Sequence, residues 1–346
     1  MTQLLTLSPQ NPSLELIRQA SAVIQRRGLV AFPTETVYGL GANALDEEAV
    51  AKIFHAKGRP SNDPLIVHVA SVEDMKLVAA EIPPVVSTLA AHFCPGPLTF
   101  VLPKLSQVPA SVTSGLETVA VRVPAHPVAL ALIRESGVPI AAPSANRFGH
   151  TSPTSAAHVM DDLNGRIDMI LDGGSTSVGV ESTVLDVTYT PPMILRPGGV
   201  AREAIEKIIG KVTLRNNRPD SDDEAQVSPG LLGKHYTPNA ELILCKGEKA
   251  EALEKLLDLA KQAQTEGRSV GLLLAEDDLH IFNSLSCKAY PLGVSADLES
   301  IARNLYAGMR ALDDEKVSLI LTRDFGAHGL GLAIHDRLLR AASQII

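Results

Sequence analysis

Apolar residues recur at helical spacing at Leu14, Ile17, Ala20, Ala22 and Ile24, and Gly28 ends the run, which predicts a helix over 13–27. Leu29-Val30-Ala31-Phe32 follows as a short apolar run bounded by Pro33 and reads as a buried strand. Thr34 to Gly41 mixes hydroxyls, a carboxylate and glycines without a period, and reads as a loop after that strand. Asp46, with Glu47 and Glu48 behind it, is an N-cap with acids in the first turn, so the next helix runs to about Ala56. Leu65 to Val69 is then a strand.

The alternation continues. Strands are predicted over 98–102, 118–123, 139–142, 168–171, 182–188 and 193–196, and helices over 72–81, 84–93, 126–135, 154–163 and 201–209. Mixed elements with short connections indicate an α/β (α+β-like) layer architecture. The short turn between 182–188 and 193–196 pairs those strands antiparallel, so the sheet is mixed. From about residue 211 the pattern lapses. Arg215 to Glu224 is polar and aperiodic, and reads as part of a linker over 211–239. After it, strands at 242–244, 270–274 and 317–321 alternate with helices at 248–265 and 333–343 and with a stripe at Leu298, Ile301, Leu305, Met309 and Leu312. That predicts a small, open, Rossmann-like parallel sheet, although Gly326, Gly329 and Gly331 make no dinucleotide motif. The domains are thus 1–210, a linker at 211–239, and 240–346.

Composition narrows the function. With 346 residues, 45% of them hydrophobic, the chain can form two cores, and with 3% aromatics and no Trp those cores must be aliphatic. A net charge of −8 argues against a broad nucleic-acid-binding face while leaving room for a local basic cleft. Cys94, Cys245 and Cys287 are too scattered for a zinc or disulfide framework, which suits a reducing cytosol. Met1 to Ser13 lacks a signal-peptide pattern, and no apolar run approaches the ~20 residues that span a bilayer. The expectation is a soluble cytoplasmic protein without a membrane partner.

Candidate chemistry clusters after the first strand. Lys57 and Arg59 stand at the predicted end of a helix, one a movable charge and the other a planar fork suited to phosphate. Two cations at a helix C-terminus are also an ordinary structural arrangement. In Ala141-Ala142-Pro143-Ser144-Ala145-Asn146 an apolar strand runs into Ser and Asn, where open sheets place ligands and where plain turns also occur. Arg122, inside Val119-Ala120-Val121-Arg122-Val123, either faces solvent from a half-exposed strand or points into a cleft to hold a carboxylate. His68 within Ile66-Val67-His68-Val69 reads as readily as a core histidine. Glu181-Ser182-Thr183-Val184 follows glycines that suggest close backbone approach, and Arg196 ends a strand before a turn. There is no HExxH, no Cys nucleophile motif and no metal-loop spacing. Cations with hydroxyls favour phosphoryl or nucleotidyl transfer run by positioning and charge stabilisation.

Taken together, Phe32-Pro33-Thr34-Glu35-Thr36-Val37-Tyr38-Gly39-Leu40, Lys57-x-Arg59-Pro60, Pro64-Leu65-Ile66-Val67-His68 and Pro143-Ser144-Ala145-Asn146 resemble the YrdC-like family of threonylcarbamoyl-AMP synthases over roughly residues 10–210. Ser228-Pro229-Gly230, Lys234-His235-Tyr236 and the tail around Gly329-Leu330-Gly331 and Asp336-Arg337-Leu338 resemble the linker and C-terminal domain of its long form. The resemblance implies a twisted, mixed open sheet with a concave basic face. It also implies a reaction: L-threonine, bicarbonate or CO2, and ATP with Mg2+ give threonylcarbamoyl-adenylate and pyrophosphate. A partner threonylcarbamoyl-transferase complex then modifies the adenosine next to the anticodon of tRNA.

By the same resemblance Lys57, Arg59, Ser144 and Asn146 form the catalytic set, and Thr34, His68, Arg122 and Ser182 match threonine-site positions. Arg59, Asp63, Thr118, Ala142, Ser144, Ser152 and Arg196 match ATP-site positions, and His235 and Tyr236 lie over the nucleotide if the linker folds back as a lid. Asp63 departs from the Asn that relatives often carry, and an aspartate repels phosphate unless a metal intervenes. The competing class is a tRNA- or double-stranded-RNA-binding module without adenylation activity. The acidic balance and the scarcity of stacking aromatics weigh against strong direct nucleic-acid binding. The related hydrogenase-maturation carbamoyltransferases carry zinc-finger cysteines, which three isolated thiols do not supply.

Overall fold

A computed structural model describes residues 1–215, 226, 228 and 236–346. The chain divides into two compact units. The first comprises the described residues of Met1–Phe148, Ser152–Ser177 and Glu181–Gly233, and the second those of Gly149–Thr151, Val178–Val180 and Lys234–Ile346.

The strands of the first unit are β1 (Gln3–Thr6), β2 (Val30–Pro33), β3 (Tyr38–Asn43), β4 (Ile66–His68), β5 (Leu98–Pro103), β6 (Thr118–Arg122), β7 (Ile140–Ala141), β8 (Met169–Asp172), β9 (Thr183–Asp186), β10 (Met193–Arg196) and β11 (Thr213–Leu214). Its helices are α1 (Leu14–Gln25), α2 (Glu47–Lys57), α3 (Pro84–Phe93), α4 (Ala110–Thr113), α5 (Pro127–Ser136), α6 (Ala156–Leu163) and α7 (Arg202–Ile209). The strands form one mixed sheet in the order β1-β8-β2-β3-β7-β4-β6-β5-β9-β10-β11. β9 and β10 pair antiparallel, as their short connection requires. Asp46 caps α2 by accepting from the backbone N–H of Glu48 and Ala49, and Gly58 ends it in the left-handed conformation.

The loop expected over Thr34–Gly41 is corrected. Tyr38–Asn43 is strand β3, paired antiparallel with β2 so that Phe32 faces Gly39 and Val30 faces Gly41. Periodicity failed here because β3 is buried along nearly its whole length and alternates large side chains with glycine rather than apolar with polar residues. A Cβ at Gly41 would lie 2.7 Å from Phe32 Cε1 and 2.8 Å from Ile140 Cγ2, so the glycine is there for close packing. The helix expected over 72–81 is only a 3-10 turn at Glu73–Leu77. β1 and β11 went unpredicted because strands this short carry little pattern, and β11 extends the sheet past residue 210.

Strand alternation separates two faces. Val67, Phe100, Leu102, Val119, Val121 and Leu185 point into the main core with α2, α3, α6 and α7. The opposite face of the sheet carries the small cluster of Ile66, Val101, Ala120, Val184 and Leu195, with Met193 packed against it. By the period of two, His68, Arg122, Thr118, Thr99 and Ser182 share that second face.

In the second unit β12 (Glu241–Cys245), β13 (Val270–Leu274), β14 (Lys288–Pro291), β15 (Leu319–Arg323) and β16 (Gln344–Ile345) form a sheet in the order β14-β13-β15-β12-β16, parallel throughout. Helices α8 (Lys249–Thr265), α9 (Glu276–Leu279), α10 (Leu298–Asp314) and α11 (Gly331–Ala341) connect them. This is the Rossmann-like arrangement expected from the alternation.

Gly41→Val is expected to destabilise the protein by about 1–3 kcal/mol, the usual cost of overpacking a filled core. Urea unfolding monitored by circular dichroism measures it, and an unchanged midpoint would remove the packing role given to this glycine.

Candidate active site

Register builds one wall of the site. His68 on β4 is opposite Arg122 on β6, and Arg122 is opposite Thr99 on β5. Arg122 is buried rather than half-exposed. Its Nη2 donates to Glu35 Oε1 at 2.6 Å, Nη1 to Thr36 Oγ1 at 2.9 Å, and Nε to Gly96 O at 3.2 Å. Thr36 Oγ1 shares a 2.8 Å hydrogen bond with Thr34 Oγ1, and Thr34 also donates to Val37 O at 2.6 Å. Thr99 Oγ1 shares a 2.8 Å bond with Ser182 Oγ, to which Arg196 Nη2 donates at 3.3 Å. Thr34 is thus linked to Arg122 through Thr36, His68 and Thr99 flank Arg122 in register, and Ser182 follows through Thr99 while also bonding to Arg196.

His68 is buried beside Arg122, and among the described residues its Nδ1 meets no partner in good hydrogen-bond geometry. Burial first, and the charge of Arg122 second, push its pKa down to about 3, so the ring is neutral at physiological pH.

Lys57 builds the second wall. Its Nζ donates to Ser144 O and Asn146 O, both at 2.5 Å, instead of capping its own helix. Lys57 is thus joined to the backbone, not the side chains, of Ser144 and Asn146. Burial, and secondarily Arg59, hold its ammonium well below the usual lysine range, against the opposing pull of Asp63 and Asp162. Arg59 donates from Nε to Asp63 O at 3.0 Å and from Nη2 to Pro64 O at 2.7 Å, with Asp63 Oδ2 2.9 Å from Nη2. The Asp63 carboxylate is fully buried against this guanidinium, which offsets its repulsion of an anion. β3 joins the walls: Leu40 N donates to Pro143 O, Tyr38 N to Pro153 O, and Gly39 bridges Ser144.

Ser152 Oγ donates to Glu181 Oε1 at 2.6 Å, and Arg196 Nη2 donates to Ser182 O at 3.0 Å. Gly198 makes this crossing possible, because a Cβ there would lie 2.3 Å from Glu181 O. Ala142 N donates to Ile66 O at 2.9 Å, and Thr118 stands at the other end of β6, roughly 13 Å along the strand from Arg122. Gln226 N donates to Asn62 O at 2.8 Å, beside Asp63. Tyr236 belongs to the second unit, where its ring lies 5.4 Å from that of Tyr306 and 5.3 Å from Arg337 Cζ. His235, with Ser228-Pro229-Gly230 beyond Ser228 and most of the expected lid, lies outside the described residues.

Sequence reasoning did not assign Glu35, Thr36, Thr99 or Glu181. A buried cation must have a carboxylate nearby, and that alone could have pointed to Glu35 as the partner of Arg122. Among the described residues no three His, Cys, Asp or Glu side chains converge as a metal site, and no helix is long and apolar enough to cross a membrane. What converges is a buried guanidinium ringed by hydroxyls and a carboxylate, and separately a lysine and an arginine held by backbone carbonyls.

Known proteins resemble this chain in sequence and in fold. A family profile described as Telomere recombination, for Sua5, YciO and YrdC proteins, matches residues 22–198, and one described as Threonylcarbamoyl-AMP synthase, C-terminal domain, matches residues 200–343. The chain is 48% identical to the threonylcarbamoyl-AMP synthase of Pyrococcus abyssi over 331 residues, 95% of either chain. It is 47% identical to that of Bacillus subtilis over 337 residues, 97% of this chain and 94% of the other. A crystal structure of P. abyssi Sua5 complexed with L-threonine matches 99% of both chains at 46% identity and a TM-score of 0.93. The chain belongs to the Sua5/YciO/YrdC family and joins that family's shared domain to the C-terminal domain of the threonylcarbamoyl-AMP synthases.

Proposed function

We propose that this chain is a threonylcarbamoyl-AMP synthase, a nucleotidyltransferase that forms L-threonylcarbamoyladenylate and pyrophosphate from L-threonine, bicarbonate or CO2, and ATP. The observation that carries the reading is 48% identity across 95% of both chains with a protein of that name. The L-threonine complex of a relative, and the gathering of polar groups around Arg122, support threonine as the amino acid.

Threonine's amine captures CO2 as a carbamate and releases a proton. A carbamate oxygen attacks the α-phosphorus, and pyrophosphate leaves with the electron pair of the broken P–O bond. Arg122 holds the threonine carboxylate, with Thr34, His68 and Ser182 around the rest of the molecule. Neutral His68 adds no charge next to Arg122. A bound triphosphate's negative charge favours the ammonium form of Lys57 against burial; of its three N–H donors two are used by backbone carbonyls among the described residues, which leaves one for a phosphate oxygen. Lys57 and Arg59 offset the charge that develops at phosphorus, with Ser144 and Asn146 lining the same side. Thr118, Ala142, Ser152 and Arg196, with Asp63 behind Arg59, border the nucleotide. Mg2+ enters as part of the nucleotide substrate, held by phosphate oxygens and water with few protein carboxylates, as is usual for that ion.

The product is an activated acyl adenylate, consumed by a threonylcarbamoyl-transferase complex that modifies tRNA. We assign the reaction to the cytoplasm, and the three free thiols support a reducing compartment.

Incubation with ATP, L-threonine and bicarbonate should release pyrophosphate in proportion to threonine. Release no greater than in the threonine-free control would refute the assignment. Lys57→Met should lower kcat by about 10²–10³, the loss typical of one electrostatic stabiliser. Steady-state rates decide this, and a kcat within threefold of wild type would remove Lys57 from the chemistry. His68 makes stability depend on pH. Its folded pKa is depressed below the ordinary 6.5 to about 3, so the stability it contributes is full above 6.5 and is lost as the pH falls toward 3. Urea unfolding at pH 7 and pH 4.5 should show a smaller pH dependence in His68→Asn than in wild type, and equal dependences would count against a buried neutral ring.

A further inference from the structure

The Glu35 carboxylate is buried, and both of its oxygens are used. Oε1 accepts from Arg122 Nη2 at 2.6 Å and Oε2 from Ala125 N at 3.0 Å. The first bond is charge-assisted and the second ties the carboxylate to the chain just beyond β6, so Glu35 is fixed from two sides. Arg122 has five N–H donors, of which Gly96 O, Thr36 Oγ1 and Glu35 Oε1 take three. Among the described residues nothing takes the other two, the number a carboxylate needs for a bidentate pair. Arg122 and Glu35 also cancel in charge, and His68 beside them is neutral.

An amino acid is a zwitterion and brings no net charge to such a pocket. A carboxylic acid without the amine would bring an uncompensated negative charge close to Glu35, in a buried setting where like charges repel strongly. Resting on the reading above, we propose that Glu35 is the positioning and specificity-determining residue of the amino-acid subsite. It orients the Arg122 guanidinium and, at the binding step that precedes carbamate formation, selects zwitterionic ligands over simple carboxylates. An ordinary buried ion pair that only stabilises the fold would affect stability without changing this selection.

The test compares wild type with Glu35→Gln and Glu35→Ala by calorimetric binding of L-threonine and of 3-hydroxybutyrate, which is threonine without its amine, together with steady-state pyrophosphate release. Glu35→Gln keeps the size and one acceptor for Arg122, so it serves if Glu35→Ala does not fold. Both variants should raise the KM for threonine about tenfold or more while the KM for ATP stays within about twofold, in line with loss of one charge-assisted bond. The affinity of 3-hydroxybutyrate relative to threonine should rise by about tenfold, with Glu35→Ala showing the larger threonine defect because it loses the acceptor as well as the charge. In folded variants, a threonine KM within twofold of wild type, or a KM rise with an unchanged selectivity ratio, overturns the inference alone. Wild type that neither binds threonine nor releases pyrophosphate overturns the functional reading and this inference with it.

Discussion

A guanidinium buried in a β-sheet must be neutralised and hydrogen-bonded, or the fold around it fails. Arg122 meets that demand by drawing the segment after β2 onto the sheet. Glu35 supplies the charge, Thr36 an acceptor, and Thr34 is held behind Thr36. The same requirement fixes the site's electrostatics, because the paired cation keeps donors to spare while its neighbour His68 stays neutral.

The second wall follows a parallel rule with different partners. Lys57 is buried without a direct carboxylate bond and is held by two backbone carbonyls of the Ser144–Asn146 loop. Arg59 is held by Asp63 and the backbone just after it. Strand β3 links the walls, since its backbone bonds to both the Pro143 and Pro153 loops. Gly41 and Gly198 work at the same level, each replacing a side chain that would collide with a neighbouring segment. The Arg122 cluster and the Lys57–Arg59 cluster are thus separate constellations on one sheet.

Much of this was legible in the chain, and the failures share a physical cause. Helix α2 was readable from its Asp46 cap and the acids behind it because capping is local chemistry. β3 was not, because a fully buried strand with alternating glycines has no polar face to give a period. The candidate residues were readable as types in motifs, yet Arg122 was equally compatible with an exposed strand. Only pairing with Glu35, 87 positions away, decides its burial.

The sequence by itself determined the helices with caps, the mixed character of the first sheet, the parallel second sheet, and the family to which the ordered motifs point, because each depends on short-range pattern or residue identity. Tertiary structure alone decided that His68, Arg122 and Thr99 stand side by side, that Lys57 grips backbone rather than side chains, and that Glu35 pairs with Arg122. Strand register and the neutralisation of buried charge are long-range conditions. They bring together residues whose separation along the chain carries no signal of contact.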